Sequence, residues 1–308
     1  MNTRPTPGGD QVTDMRDERG REARVGLAFI AVPMALFLVL QIFAIGYAAF
    51  ISFWDWGIRG PREFVGIGNY VELLGDGVFT GKAIPNTLFY TAIVVPAQMA
   101  LGLSLAVIVN QKIRGQTFFR AAFYFPAIAS SAAIVVLFTF LTQPDGLVNT
   151  LLGYVGIQSD LNWTNNPGTA LPSIMVLAIW TTSGTMMLFY LAALQSISRE
   201  VYEAAALDGA NWWSAFWSIT FPLLKPAHFF VAVVSVIGAL QMFDQSFIAG
   251  GTDGAPANSL TTMVLFLYRA TAATFEFGYA AAVGIVLLVF IMSLTLIQRR
   301  LFGQASTA

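Results

Sequence analysis

Few residues in this chain have the type and spacing to do chemistry. It has no cysteine and one histidine, His228, which removes thiol chemistry, disulfides, cysteine metal sites and histidine clusters. The stretch DGVFTGKA at 76–83 resembles a phosphate loop. Its first glycine, Gly75, falls one place early, and Ala83 stands where a hydroxyl would reach magnesium. No nucleophile with a base and no metal pair is visible, so neither catalytic residues nor a metal site is expected. Two polar groups inside apolar runs remain. Gln241, Asp244 and Gln245 lie near the end of one run, and an ionisable residue in a span is a functional candidate. Trp180-Thr181-Thr182-Ser183 in another offers an aromatic face beside hydroxyls, the pairing a sugar needs. Each has a blander alternative: Asp244 meeting water at the end of its span, and the Trp180 patch bonding one helix to another. Tyr279 is a weaker third candidate for a solute path.

The elements that must position these groups are membrane spans. The chain of 308 residues is 56% hydrophobic and 11% charged, against about 25% charged for a soluble domain. A hydrocarbon core of about 30 Å takes about 20 helical residues to cross. Uncharged runs at 26–50, 83–109, 121–143, 169–198 and 277–298 meet that length, and 227–249 is apolar until Asp244. Backbone facing lipid must satisfy its own hydrogen bonds, and no alternating barrel pattern is present. The expectation is an all-α polytopic membrane protein with six transmembrane helices. Pro33, Pro96 and Pro126 interrupt spans, each removing a backbone hydrogen bond and bending its helix.

Orientation follows from lysine and arginine. With the N-terminus inside, the inner segments hold Arg4, Arg16, Arg19, Arg21, Arg24, Lys112, Arg114, Arg120, Arg199, Lys225, Arg299 and Arg300, twelve of the sixteen basic residues. Arg59, Arg62, Lys82 and Arg269 fall outside. Both termini are then cytoplasmic. Residues 1–25 read as a disordered tail, 26–302 as the transmembrane domain and 303–308 as a second short tail. The net charge of −1 comes with no basic stripe, so no nucleic acid partner is expected.

Between the fourth and fifth spans lies EAAALDGANWWSAFWSITFPLLKP, residues 203–226, amphipathic and cytoplasmic by the same charge count. Ser198 is placed to cap a short helix that Asp208-Gly209 ends. Asn211 can cap a second, with Trp212, Phe216 and Ile219 on one face, and Pro222 and Pro226 stop it before the next span. Such an element either lies on the bilayer surface or enters the groove of a partner. In the second case Ala204, Ala205 and Ala206 allow close approach while the aromatics anchor it to its own bundle.

At these residues the sequence resembles the permease subunits of bacterial ABC importers, whose cytoplasmic signature is E-A-A, three residues, G, nine residues, I-x-L-P. Glu203-Ala204-Ala205, Gly209, and Ile219-Thr220-Phe221-Pro222 match that spacing, with Phe221 in the leucine position. FVGIGNYVELL, NTLFYT, FFRAAFYFP and the stretch 242–282 are similar to the sugar and glycerol-phosphate branch, while the outer turn at 250–256 is longer than usual.

The resemblance implies that Glu203, Ala204, Ala205, Gly209, Ile219 and Pro222 form a coupling helix docked in an ATPase. It implies an ATP-driven permease that moves a sugar or similar solute by alternating access in the bacterial cytoplasmic (inner) membrane. The partners it implies are a second homologous permease, an ATPase dimer and an extracytoplasmic solute-binding protein, besides membrane lipid. No cofactor is expected in this chain, ATP and magnesium belonging to the ATPase. The alternatives are an ion-coupled secondary transporter, which would show broken helices and buried charge chains, and an ABC permease for a non-sugar solute.

Overall fold

A computed structural model describes residues 25–111 and 115–302. The expected tails, apart from Val25, and the inner basic residues Arg4, Arg16, Arg19, Arg21, Arg24, Lys112 and Arg114, lie outside the described residues. The chain divides into two compact units, with the boundary between Ile51 and Ser52. The first contains one apolar helix, α1, Val25–Ile51, with a π-helical stretch at Leu38–Phe43. Phe43 stacks on Tyr47 at 6.0 Å, one turn along the same helix.

The second unit opens with a β-hairpin, which corrects the all-helical expectation. Strands β1, Trp54–Gly57, and β2, Gly60–Phe64, pair antiparallel with Trp54 opposite Phe64. Their rings meet edge to face at 5.2 Å. Gly60, at φ +96°, supplies the left-handed residue that the tight turn requires.

The helices that follow are α2, Gly68–Gly75; α3, Phe79–Asn110, entered through a π-turn at Phe79–Ala83; α4, Gln116–Ile128; α5, Ser131–Leu141; and α6, Leu147–Tyr154. Next comes α7, Ala170–Gln195, then α8, Arg199–Leu207. Helix α9 starts as Trp212–Ala215 and runs through a π-turn at Phe216–Thr220 to Phe221–Leu223. The last four are α10, Lys225–Leu240; α11, Asp244–Gly250; α12, Met263–Ala272; and α13, Phe277–Phe302.

Among the described residues, five segments are long and apolar enough to cross a membrane: α1, α3, α7, residues 225–250 and α13. The expected third span, 121–143, is not one straight helix. Its two halves, α4 and α5, bend by 93°. Pro126 removes a hydrogen bond in the last turn of α4, Ala129 is extended, and the Ser130 hydroxyl accepts from Ala133 N–H to cap α5. Pro96, by contrast, sits inside α3 without ending it.

Helices α3 and α7 form the longest contact in the unit. Gly102 makes it possible, because a Cβ there would sit 2.6 Å from Met186 Cβ. Two apolar clusters flank this seam. One gathers Phe79, Tyr90, Ile174, Leu240, Met263 and Phe266; the other holds Val109, Met187, Tyr190, Leu194, Leu224 and Val231 toward the α8–α9 end.

Candidate functional site

The segment between α7 and α10 is built as its local chemistry dictates. Ser198 Oγ accepts from Glu200 N–H at 3.3 Å and starts α8. The helix ends in a Schellman closure: Gly209 N–H donates to Ala206 O at 3.1 Å, and Ala210 N–H to Ala205 O at 2.9 Å. Gly209 stands at φ +80°, a conformation that costs other residues strain. Asn211 Oδ1 then accepts from Ser214 N–H at 2.9 Å to open α9. The two short helices are tied by the Tyr202 hydroxyl, 3.0 Å from Thr220 Oγ1.

Glu203, Ala204 and Gly209 are exposed, Ala205 is buried, and Ile219 and Pro222 are half-buried. The face left open ends at Leu207, which is 90% exposed. Two local expectations need correction. The π-turn shifts the period of α9, so Phe216 stacks on Trp212 at 5.9 Å while Ile219 leaves that face. Pro222 does not stop a helix. It sits in the first turn of a helical piece, where its missing N–H costs nothing, whereas α9 does end at Leu223, just before Pro226 in the first turn of α10.

The aromatics do anchor the element, through one continuous chain of rings. Trp217 meets Phe221 at 5.1 Å, Phe221 meets His228 at 4.5 Å, and His228 Nδ1 lies 3.0 Å from the Tyr190 hydroxyl inside α7. The outer members stay open: Trp212 and Trp213 are each 60% exposed.

The second site is a cavity of about 290 Å³ where the two interrupted spans meet. Residues 225–250 break at 241–243, and α11 packs against α5. Ser131 at the start of α5, Thr181, Thr182 and Thr185 on α7, and Asp244 and Gln245 at the start of α11 supply the polar lining. Asp244 opens its helix, where a carboxylate meets the positive end of the peptide dipoles. Thr181 Oγ donates to Leu177 O at 3.0 Å, which leaves its lone pairs to accept from a solute hydroxyl. Among the described residues of the lining, Asp244 is the one that carries charge.

Of the six residues expected on a solute path, this cavity collects Thr181, Asp244 and Gln245. Gln241 does not share a helical face with them, because it ends α10 on the far side of the break and is exposed. Trp180 is 54% exposed and does not line this cavity. Tyr279 lies elsewhere, its hydroxyl 3.5 Å from Asp76 Oδ2 in a crevice shared with Asp55, Arg62, Glu72 and Glu276. Asp76 also accepts from Val78 and Phe79 N–H and so fastens the start of α3.

Sequence reasoning missed Thr185, Ser131 and Gln98. Gln98 is buried, and its Oε1 accepts a short hydrogen bond from Thr182 Oγ1 across the α3–α7 seam. A glutamine two residues after a proline in an apolar span was the available signal.

Comparison with known proteins bears on both sites. Residues 98–303 match the family described as binding-protein-dependent transport system inner membrane component. The chain is 35% identical over 276 residues to the lactose transport system permease protein LacF of Rhizobium radiobacter, covering 89% of this chain and 92% of LacF. It is 36% identical over 279 residues to the multiple sugar-binding transport system permease protein MsmF of Streptococcus mutans, covering 90% and 94%. A chain of the bacterial alginate ABC transporter, solved in complex with its alginate pentasaccharide-bound periplasmic protein, has the same fold at TM-score 0.79 and 20% identity, over 94% of this chain and 98% of that one. Broken spans alone would also suit an ion-coupled carrier, but the shared family decides between the two. The chain belongs to the binding-protein-dependent transport system inner membrane components and is a permease subunit of an ABC importer, a multi-pass transport component and not an enzyme.

Proposed function

We propose that this permease imports a neutral, sugar-like solute released by a binding protein, through the cavity between the two broken spans. The observation that carries the reading is the chemistry of that cavity: hydroxyls of Ser131, Thr181, Thr182 and Thr185 and the amide of Gln245, beside the carboxylate of Asp244 and no basic residue among the described lining. Hydroxyl and amide groups match a polyol's donors and acceptors, whereas a phosphate or carboxylate on the cargo would be repelled by Asp244. The similarity to LacF and MsmF supports a carbohydrate.

In this reading six spans cross the bacterial cytoplasmic membrane, α4 and α5 together making one, with both termini inside. Glu203, Ala204, Ala205, Gly209, Ile219 and Pro222 belong to the coupling element, which enters a groove of the ATPase. Ala204 permits close approach, Glu203 offers a carboxylate to a basic partner, and Leu207 supplies the apolar contact. Two ATPase subunits hold ATP and magnesium, and a second, homologous permease completes the path. Closing of the ATPase pair drags the coupling elements and rocks the spans between outward-open and inward-open states.

The test is reconstitution in liposomes. Radiolabelled sugar uptake requires the ATPase, the second permease and the binding protein together, and it fails with the permease alone. Uptake by this chain alone, driven by a proton or sodium gradient, would overturn the proposal.

A further inference from the structure

A larger cavity, about 930 Å³, lies apart from the solute cavity, between α3 and the aromatic face of α9. It runs from Pro96 to Gln111 along α3. Fifteen helical residues cover about 22 Å. Because α3 spans 79–110, Pro96 lies near the bilayer midplane and Gln111 just beyond the end of the helix, so the groove is about one leaflet deep. Its deep end is lined by Pro96, Met99, Ala100 and Leu103, all apolar. Its shallow end carries Trp212, Trp213 and Trp217 with Lys225. Among the described residues of the lining Lys225 is the one that carries charge, and among the described residues it forms no ion pair.

This polarity, apolar at depth, indole-lined at the interface and cationic at the rim, is that of an amphiphile with an anionic head. We propose that the groove holds an anionic phospholipid of the leaflet that borders α8 and α9, its acyl chain along α3 and its phosphate at Lys225. A transmembrane helix of a partner would fill the apolar depth equally well, but would gain from Lys225 only by bringing a carboxylate or its own C-terminus to the rim, whereas an anionic lipid carries its charge at that depth by construction. The indoles suit the headgroup level, where tryptophan concentrates, and one lysine beside an anionic lipid is worth about fivefold in binding. The lipid would seat α9 against α3, next to the element that meets the ATPase.

The test is native mass spectrometry of the assembled transporter released from detergent, with dioleoyl phosphatidylglycerol or dioleoyl phosphatidylcholine added. The wild type should retain the glycerol lipid about fivefold better than the choline lipid. Lys225→Gln should abolish that preference while keeping both lipids, and Leu103→Trp, which fills the depth, should reduce retention of both. Equal retention of the two lipids by the wild type would overturn the proposal, as would an unchanged preference in Lys225→Gln. A Ser104→Cys variant labelled with a photoreactive maleimide that crosslinks on illumination to the second permease in place of lipid would overturn it too. Because the readout is lipid retention, its failure leaves the transport reading untouched.

Discussion

Asn86 Nδ2, near the start of α3, donates to the carbonyls of Asn258, Ser259 and Thr261 at 3.1, 3.1 and 3.0 Å, holding a loop more than 170 residues away in sequence. That loop contains Ala257 and Asn258 in left-handed conformations, at φ 51° and 56°, which it cannot keep without outside support. One residue on, Thr87 Oγ1 accepts from Met263 N–H at 3.0 Å, so two adjacent side chains of α3 fix the entrance to α12. Asn86→Ala leaves these carbonyls without their donor and should destabilise the fold by about 1–3 kcal/mol. A lower midpoint of thermal unfolding in detergent, with faster proteolysis at 250–262, is the expected result. Asn86→Asp should be worse, since a carboxylate offers no N–H to the same oxygens.

The Gly209 turn gives a prediction about coupling. Gly209→Ala must adopt φ +80° with a side chain, a strain of about 1–2 kcal/mol. Nothing lies within 4 Å of the position a Cβ would take, so sterics with the rest of the fold add nothing. Gly209→Asn should be milder, because asparagine tolerates the left-handed region. Both variants should insert normally. The Ala variant should show weaker ATPase co-purification, and the Asn variant should lie between it and wild type. Glu203→Lys should lose ATPase association more severely while leaving membrane insertion unchanged.

The Tyr202–Thr220 hydrogen bond, at 3.0 Å, joins α8 to α9. A partly buried neutral pair of this kind contributes about 0.5–1.5 kcal/mol. Tyr202→Phe and Thr220→Val should each loosen the angle between the helices and lower solute-stimulated ATP hydrolysis relative to basal hydrolysis. The double variant should be little worse than either single one, because both remove the same bond. Additive losses would assign the two side chains separate roles.

Much of the α8–α9 segment was legible in the sequence because its determinants are local. Ser198, Gly209 and Asn211 each act on backbone groups within a few residues, so their types alone announce caps and a turn. The polar cavity between the two broken spans was half legible because its determinants are distant. The break at 241–243 contains neither glycine nor proline; Thr262 Oγ1 donates to Met242 O at 2.9 Å, taking a carbonyl the helix would otherwise use. That bond spans twenty residues, and without it Gln241, Asp244 and Gln245 read as one helical face. The bend after Pro126 was announced by the proline, but its 93° size depends on the capping of α5 at Ser130. The hairpin was hidden by its shortness, since Trp54 and Phe64 serve equally well as interfacial aromatics.

The last prediction separates cargo recognition from packing. Thr182 borders the solute cavity and also bonds Gln98 across the seam, so Thr182→Val removes a hydroxyl from the lining and leaves Gln98 Oε1 buried without a donor. The variant should be destabilised by roughly 1–3 kcal/mol, and Gln98→Leu combined with it should recover part of that loss, since the orphaned oxygen is then gone. Asp244→Asn leaves no such orphan, because Asp244 makes no hydrogen bond or ion pair among the described residues. It should cost no more than about 1 kcal/mol of stability, the dipole contact at the start of α11, and keep uptake of a neutral sugar. It should also relax exclusion of a phosphorylated analogue, measured as competition by the sugar phosphate against the neutral sugar in liposomes holding the full transporter at saturating binding protein. If the phosphate competes no better in Asp244→Asn than in wild type, the carboxylate has no part in selecting the cargo.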